Sequence, residues 1–320
     1  MKHCFVINPA AGSGKDQDLL LPRIINAAKK WGVDYEIHRT SGPGEAAIFA
    51  RGRLSENKGQ PIRFYSCGGD GTVSEILNGI YGEKNAELAI IPAGSGNDYI
   101  RNFGSKECFC DITALIAGKA VPVDVIEYSY TPSKKEESEK VTSYALNMIN
   151  MGFDAKVVRR MENLKNKFFL KGTGAYVAGV VLELAGYKMS RAIFRPDGEE
   201  AFETDILLAG VGSGRFSGGG FDGIPVANVS DGLLDLMVIK PIKRGKFIKL
   251  VGAYHDGKHL GNPDFADIMI LSPAKKVEVE PVSPLVFTAD GEVLFTTKLL
   301  SISIAPEKVS FIIPDGLEWP

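Results

Sequence analysis

Ile62-Arg63-Phe64-Tyr65-Ser66-Cys67-Gly68-Gly69-Asp70-Gly71-Thr72-Val73-Ser74-Glu75-Ile76-Leu77-Asn78 is the stretch that decides the fold. Residues 62–67 are apolar and aromatic enough to read as a buried strand. Apolar residues at 73, 76, 77 and 80 then follow helical spacing. Three glycines around Asp70 therefore fall where a strand turns into a helix N-terminus. Such an end offers N–H groups and the positive end of the helix dipole. Glycines there let the backbone close on an anion, and phosphate is the usual guest. The plainer reading is a tight turn in which Thr72 and Glu75 form a capping box. Three glycines exceed what that turn needs, which favours the phosphate reading.

Upstream, His3 to Ile7 reads as a first strand, followed by Asn8-Pro9-Ala10-Ala11-Gly12-Ser13-Gly14-Lys15. This is not a Walker A loop. Pro9 stands where the first glycine is needed, and Asp16 where Ser or Thr must follow the lysine. The loop is kept as a second phosphate contact. Leu21, Ile24, Ile25 and Ala28 mark a helix face. A strand at 34–38 leads through Arg39-Thr40-Ser41-Gly42-Pro43-Gly44 into a helix from Glu45 to about Leu54. Downstream, Leu88 to Ile91 is a fourth strand, and Pro92-Ala93-Gly94-Ser95-Gly96-Asn97-Asp98 follows it. Strands alternating with helices imply a Rossmann-like parallel α/β sheet. Three of its loops (8–15, 68–72, 94–98) are rich in Gly, Ser, Asn and Asp. In open sheets of this kind, ligands bind where such loops converge, outside the strands' carboxyl ends.

Beyond Val121-Pro122-Val123-Asp124 the texture changes. Strand-like alternation dominates at 142–149, 192–194, 204–211, 234–239, 277–279 and 286–288, with helical spacing confined to about 156–188. Lys134 to Lys140 reads as a solvated hairpin insert. The expected architecture is thus an α/β domain over 1–125, with 306–320 as a segment that could rejoin it, and a β-rich domain over 126–305. The β-rich half reads as a sandwich or flattened barrel.

Bulk properties agree with two cores: 320 residues, 44% hydrophobic and 24% charged, with net charge −2. That balance gives no electrostatic reason to expect nucleic acid. The four cysteines (4, 67, 108, 110) lack zinc-type pairing, and reduced thiols in a cytosol are expected. No export signal is read at the N-terminus. The longest apolar stretch, Ala175 to Ala185, is too short to span a bilayer. The expectation is a cytoplasmic protein whose membrane contact, on the inner face, is peripheral.

Taken together, the motifs resemble the diacylglycerol kinase catalytic family, the bacterial lipid kinases related to sphingosine kinases. The resemblance rests on Asn8-Pro9 with Gly12; Thr40-Ser41; Gly68-Gly69-Asp70-Gly71-Thr72; and Pro92 to Asp98 with Tyr99-Ile100-Arg101. It continues through Val123-Asp124, Gly152-Phe153-Asp154-Ala155, Gly218-Gly219-Gly220, Asp231-Gly232-Leu233-Leu234-Asp235 and Asp290-Gly291-Glu292. Ser95 stands where the family usually has Thr, which keeps the hydroxyl. Tyr99 replaces a commoner Phe, and Ser213 a usual Asn.

The resemblance implies transfer of the ATP γ-phosphoryl group to a lipid hydroxyl with Mg²⁺. Such a reaction needs positioning and charge neutralisation more than covalent chemistry. Nucleotide binding would fall to Asn8, Thr40, Gly68, Gly69, Asp70, Gly71, Thr72 and Ser95. Catalytic roles would fall to Glu292, as base for the acceptor hydroxyl, and to Asp70. Asp70, Asp98 and Asp124 would form a Mg²⁺ network, the alternative for Asp98 being a helix cap and for Asp124 an ordinary strand end. Asn228, Asp231 and Leu233 would hold a structural Mg²⁺; another Asp-Gly turn explains them nearly as well. The chain has seven Asp-Gly pairs, so Asp290-Gly291 alone says only hairpin. Arg159, Arg160, Lys165, Lys167 and Lys171, flanked by Phe168, Phe169 and Leu170, read first as a solvated helix face and second as a docking patch for anionic lipid.

Diacylglycerol is the leading acceptor, with a sphingoid base, ceramide or phosphatidylglycerol as alternatives. A homodimer is a candidate assembly. NAD kinases share the glycine loop, but the Ser/Ala-Gly-Gly segment they use downstream is missing here. A non-catalytic nucleotide- or lipid-binding protein would lack the base or the metal carboxylates.

Overall fold

The computed structural model describes residues 1–12, 15–57, 59–94, 96–132, 139–152, 155, 189–296 and 298–319, with the backbone alone for 15–18. Ser13, Gly14, Ser95, Phe153, Asp154, most of the 134–140 insert, and the helical and basic stretch expected over 156–188 lie outside them.

In chain order the described elements begin with β1 (Lys2–Ile7), α1 (Lys15–Trp31), β2 (Asp34–Arg39), α2 (Glu45–Glu56), β3 (Ile62–Gly68), α3 (Asp70–Ile80) and β4 (Ala86–Pro92). There follow α4 (Ile112–Ala117), β5 (Lys119–Val123), β6 (Ile126–Tyr130), β7 (Val141–Ala145), β8 (Met148–Gly152), β9 (Ser190–Pro196), β10 (Phe202–Ile206) and β11 (Leu208–Gly212). The chain continues with β12 (Phe216–Ser217), β13 (Phe221–Asp222), β14 (Leu234–Ile239), α5 (Arg244–His255), β15 (Met269–Ala274) and β16 (Lys276–Pro281). Last come β17 (Leu285–Ala289), β18 (Glu292–Thr296), β19 (Leu300–Ile304) and β20 (Val309–Ile313). Two compact units result, one of Met1–Val125 with Ala305–Pro320, the other of Ile126–Ile304.

The first unit is a six-stranded sheet in the order β2-β1-β3-β4-β20-β5. Every pairing is parallel except that of β5 with β20. Every residue of β3 is buried, as expected of a strand covered on both faces. Helix α3 turns Val73, Ile76, Leu77 and Ile80 inward. The capping box of the plainer reading is not formed, since Gly69 is the N-cap of α3 and no side chain caps it. Glu75 instead reaches across to α2, accepting from the N–H groups of Gly44 at 2.8 Å and Ala46 at 3.0 Å. A carboxylate at a neighbour's N-terminus satisfies donors that α2's own cap, Gly44, cannot.

The second unit is a sandwich of two six-stranded antiparallel sheets, β10-β9-β16-β19-β6-β7 and β15-β14-β11-β8-β17-β18, with β12 and β13 as a small hairpin. Phe194, Val279 and Ile302 from one sheet share a core with Ile149, Val211, Leu236 and Phe287 from the other. The alternate residues Met148, Leu208, Met237 and Ile239 face the opposite way, where Phe247, Leu250 and Tyr254 of α5 cover them.

Three sequence expectations change here. The strand expected over 142–149 is two strands, because the N–H groups of Leu146 and Asn147 turn to the Asp290 carboxylate. The strand expected over 204–211 breaks at Leu207, whose N–H bonds to Ile239. Helix α5 is not predicted by the residue pattern, since Gly245 and Gly252 dilute its helical signal. Among the described residues, no helix is long and apolar enough to cross a membrane.

Candidate functional site

Strand β1 has β2 on one side and β3 on the other, so the chain changes direction across the sheet there. This switch point opens a crevice outside the carboxyl ends of β1 and β3. Asn8, the residue after β1, bridges it. Its N–H donates to the Cys67 carbonyl at 3.1 Å, and its side-chain amide donates to Thr72 Oγ1 at 3.1 Å. Its Oδ1 accepts from Ala10 N–H at 3.0 Å. Beside it, Thr40 hangs from the Ile7 carbonyl by its N–H at 2.9 Å and by its hydroxyl at 3.5 Å. The Thr40 and Thr72 side chains are buried, so both hydroxyls serve to tie loops together. Gly71 is exposed, and a Cβ there would meet nothing within 4 Å. The open surface of this turn is therefore backbone, at the N-terminus of an eleven-residue helix.

The loop after β4 is locked onto that turn. Both oxygens of Asp70 accept from the Asn97 N–H, at 3.0 and 2.9 Å. Asn97 returns its side-chain amide to the Gly68 carbonyl at 3.0 Å. Glycines are required at the contact. A Cβ on Gly94 would lie 2.6 Å from the Gly69 Cα, and one on Gly96 would lie 2.1 Å from an Asp70 oxygen. Lys106 Nζ donates to the Gly94 carbonyl at 3.1 Å, adding a cation at the loop. Asn97 is the residue that sequence reasoning left without a role. It holds φ 68, a left-handed conformation tolerated best by Gly and Asn. Its Oδ1 is buried without a hydrogen-bond partner. The signal that could have found it is an asparagine closing a glycine-rich turn.

Each carboxylate expected in the metal network has a protein partner. Asp70 holds Asn97. Asp98 pairs with Arg101 at 3.2 Å. Asp124, nearly wholly buried, pairs with Lys308 at 2.9 Å. Among the described residues, no three His, Cys, Asp or Glu side chains gather closely enough to hold a metal ion by themselves. That arrangement suits a Mg²⁺ delivered on a nucleotide, which takes one or two carboxylates together with phosphate oxygens and waters. The buried, unpartnered Asn97 Oδ1 is a further oxygen donor of the right hardness.

In the second unit, Asp290 and Gly291 join β17 to β18 with φ 46 and 87, a two-residue hairpin of the type Asp-Gly favours. Asp290 does more than turn the chain. Its carboxylate accepts from the N–H groups of Leu146 at 2.7 Å, Asn147 at 3.0 Å and Met148 at 2.9 Å. Glu292, the next residue but one, is exposed at the start of β18. Its charge adds to burial in pushing up the phenols of Tyr128 and Tyr130, so a neutral aromatic pair borders it.

Asn228 Oδ1 accepts from the N–H and hydroxyl of Ser230, each at 3.0 Å. Asp231 Oδ1 accepts from Leu233 N–H at 3.0 Å. Both side chains are thus engaged in local turns. Asp235 lies close by, its pKa pushed up to about 6 by burial and then by the Asp231 charge. The exposed Asp231 and the buried Asp235 at the start of β14 repel each other, and a cation between them would relieve that repulsion.

Comparison with known proteins follows the same division. Residues 2–128 match the family model of the diacylglycerol kinase catalytic domain. Residues 147–313 match that of the YegS C-terminal NAD kinase beta sandwich-like domain. A Pseudomonas aeruginosa protein named "Probable lipid kinase YegS-like" is 30% identical over 78% of this chain and 76% of its own. The Mycobacterium tuberculosis "Diacylglycerol kinase" is 29% identical over 70% of this chain and 68% of its own. A crystal structure from Bacillus anthracis, titled as a diacylglycerol kinase, superposes with TM-score 0.68 at 23% identity, covering 99% of this chain and 98% of that one; it supports the fold.

Proposed function

Because the chain belongs to the diacylglycerol kinase catalytic family of lipid kinases, we propose that it moves the γ-phosphoryl group of ATP onto the free hydroxyl of diacylglycerol, giving phosphatidic acid. The observation that carries the nucleotide half of this reading is the lock between Asp70 and Asn97. It fixes the glycine loops after β3 and β4 against each other beside the switch point of the sheet, leaving backbone N–H groups and a helix N-terminus for phosphate oxygens.

In this reading the α3 N-terminus and Gly71 hold the phosphates, and Lys106 adds positive charge beside the Gly94 carbonyl. Asp98, Asp124 and the Asn97 Oδ1 are the oxygen donors assigned to Mg²⁺, which when bound neutralises charge on the transferring group. Glu292 takes the proton of the acceptor hydroxyl as its oxygen bonds to phosphorus and the bond to the ADP oxygen breaks. Asp290 fixes the turn from which Glu292 projects. Asp231 and Asn228, with the Leu233 carbonyl, are assigned to a structural Mg²⁺ that relieves Asp235. The lipid is met peripherally at a membrane surface.

The test is a panel of acceptors in mixed micelles with γ-labelled ATP and Mg²⁺: diacylglycerol, a sphingoid base, ceramide, phosphatidylglycerol and NAD. Labelled phosphatidic acid as the dominant product supports the proposal. Preferential labelling of any other acceptor overturns the diacylglycerol assignment and names its replacement.

A further inference from the structure

Helix α5 buries Phe247, Leu250 and Tyr254 against the outer face of its sheet. At 100° per residue, the opposite face carries Gly245, Ile248, Lys249 and Gly252. Ile248 is 69% exposed. Around it the chain concentrates positive charge. Lys240, Lys243, Arg244, Lys246 and Lys249 fall within ten residues, and no acid occurs between Asp235 and Asp256, in a chain whose net charge is −2.

Fold stability does not account for this pattern. Lys243, Arg244 and Lys246 sit at the N-terminus of α5, whose first turn has no acidic residue, so they oppose the helix dipole. Among the described residues, Lys240, Lys243, Lys246 and Lys249 have no ion-pair partner. Gly245 and Gly252 weaken a helix interior, yet a Cβ on either would meet nothing within 4 Å. No close approach within the chain calls for them. A basic face whose lysines have no ion-pair partner among the described residues, with an exposed branched aliphatic residue between bare glycines, is suited to an outside surface that is anionic and also accepts hydrocarbon. Nucleic acid and acidic proteins supply the charge; a lipid surface supplies both.

We propose that the solvent face of α5, centred on Ile248, flanked by Arg244 and Lys249 and joined at the start of the helix by Lys243 and Lys246, docks onto an anionic membrane surface. The lysines and arginine bind headgroup phosphates, and Ile248 enters the boundary with the acyl chains. The proposal deepens the lipid-kinase reading by naming the surface that brings the enzyme to its substrate. Docking itself is measured without ATP or turnover, so the two can fail separately.

The experiment is co-sedimentation with phosphatidylcholine vesicles, with and without phosphatidylglycerol, across a salt series. The full chain is expected to partition to the anionic vesicles, with partition falling as salt rises. Lys243→Glu, Lys246→Glu and Lys249→Glu combined should lower that partition by ~10-fold or more. Ile248→Ser should lower it by ~3-fold or more while preserving the salt dependence. Thermal unfolding by circular dichroism controls for folding, and if the triple variant does not fold, Lys249→Glu alone and Ile248→Ser decide. Turnover on detergent-dispersed diacylglycerol should be unchanged in each. Unaltered vesicle partition in these variants overturns the proposal, including the case where only reversal of the basic run 159–171 abolishes it. Wild-type retention on an RNA homopolymer at least as strong as on vesicles, lost in the charge-reversed variant, also overturns it.

Discussion

Both carboxylate oxygens of Asp70 rest on one backbone N–H, that of Asn97, at 3.0 and 2.9 Å. A charged acceptor at the first position of α3 thus sets the spacing between the two loops on which phosphate binding depends. Asp70→Asn keeps the volume but turns an N–H₂ group toward a donor. Turnover per KM is expected to fall ~100-fold from misplacement of the loops. Steady-state kinetics on micellar diacylglycerol would show it, and a variant within a factor of a few of wild type refutes the lock.

Gly94→Ala tests the same contact from the other side. The added methyl meets backbone at Gly69, at 2.6 Å from Cα and 2.9 Å from N, which no side-chain rotation can relieve. Overpacking of this kind costs ~1–3 kcal/mol. The expected result is about a tenfold or larger loss of affinity for an ADP or non-hydrolysable ATP titrant by calorimetry. Unchanged affinity removes the loop from the phosphate site.

Glu292→Gln preserves shape and removes the proton acceptor. Turnover should drop by ~10²–10⁴, while nucleotide affinity stays at the wild-type value because the phosphate loops belong to the other unit. Retained turnover dismisses Glu292 as the base.

Asp290 is expected to matter for stability as well as rate. Asp290→Ala strands three N–H donors, at Leu146, Asn147 and Met148. Hydrogen bonds to a charged group contribute ~1.5–3 kcal/mol each, though not additively. Denaturant unfolding of the second unit should shift by ~3 kcal/mol, with turnover lost alongside. A variant that loses turnover without any stability change would show that Asp290 acts in some way other than as the anchor of its turn.

The first unit has a built-in acid sensitivity. Burial pulls the His3 imidazole down to about 4, and its Nδ1 lies 2.8 Å from the Tyr65 hydroxyl. Between pH 6.5 and 4 the unfolded chain holds this proton and the folded one does not, so stability falls as pH falls through that window. His3→Gln should flatten the loss by about 2 kcal/mol. Thermal melts at pH 7 and pH 4.5 check it, and parallel pH profiles for both proteins would exclude His3.

The parallel sheet was legible because its strands are continuous apolar runs ending in glycine-rich loops, a pattern set by local residue types. The partners of individual carboxylates were not. Glu75, in the plainer reading a cap of its own helix, serves its neighbour. Asp290 looked like a hairpin residue and also breaks the strand at Leu146. Asp124 has Lys308 as its counter-ion, 184 positions away. Such pairings arise from long-range register, which no local window contains. Helix α5 escaped notice for the opposite reason: its exposed glycines and basic face serve something other than its own stability.

Strand β20 lies between β4 and β5 in the first sheet, although the whole second unit precedes it in the chain. The Ala305 N–H clips back onto the Val125 carbonyl at 2.8 Å, where the chain had left. During synthesis the ribosome must therefore release residue 313 before the nucleotide unit can close its sheet. Until then β4 and β5 have a vacant lane between them, and Asp124 waits for its lysine. A nascent fragment ending near residue 130 would hold the glycine loops at 8–15, 68–72 and 94–98 and still lack the strand that completes their sheet.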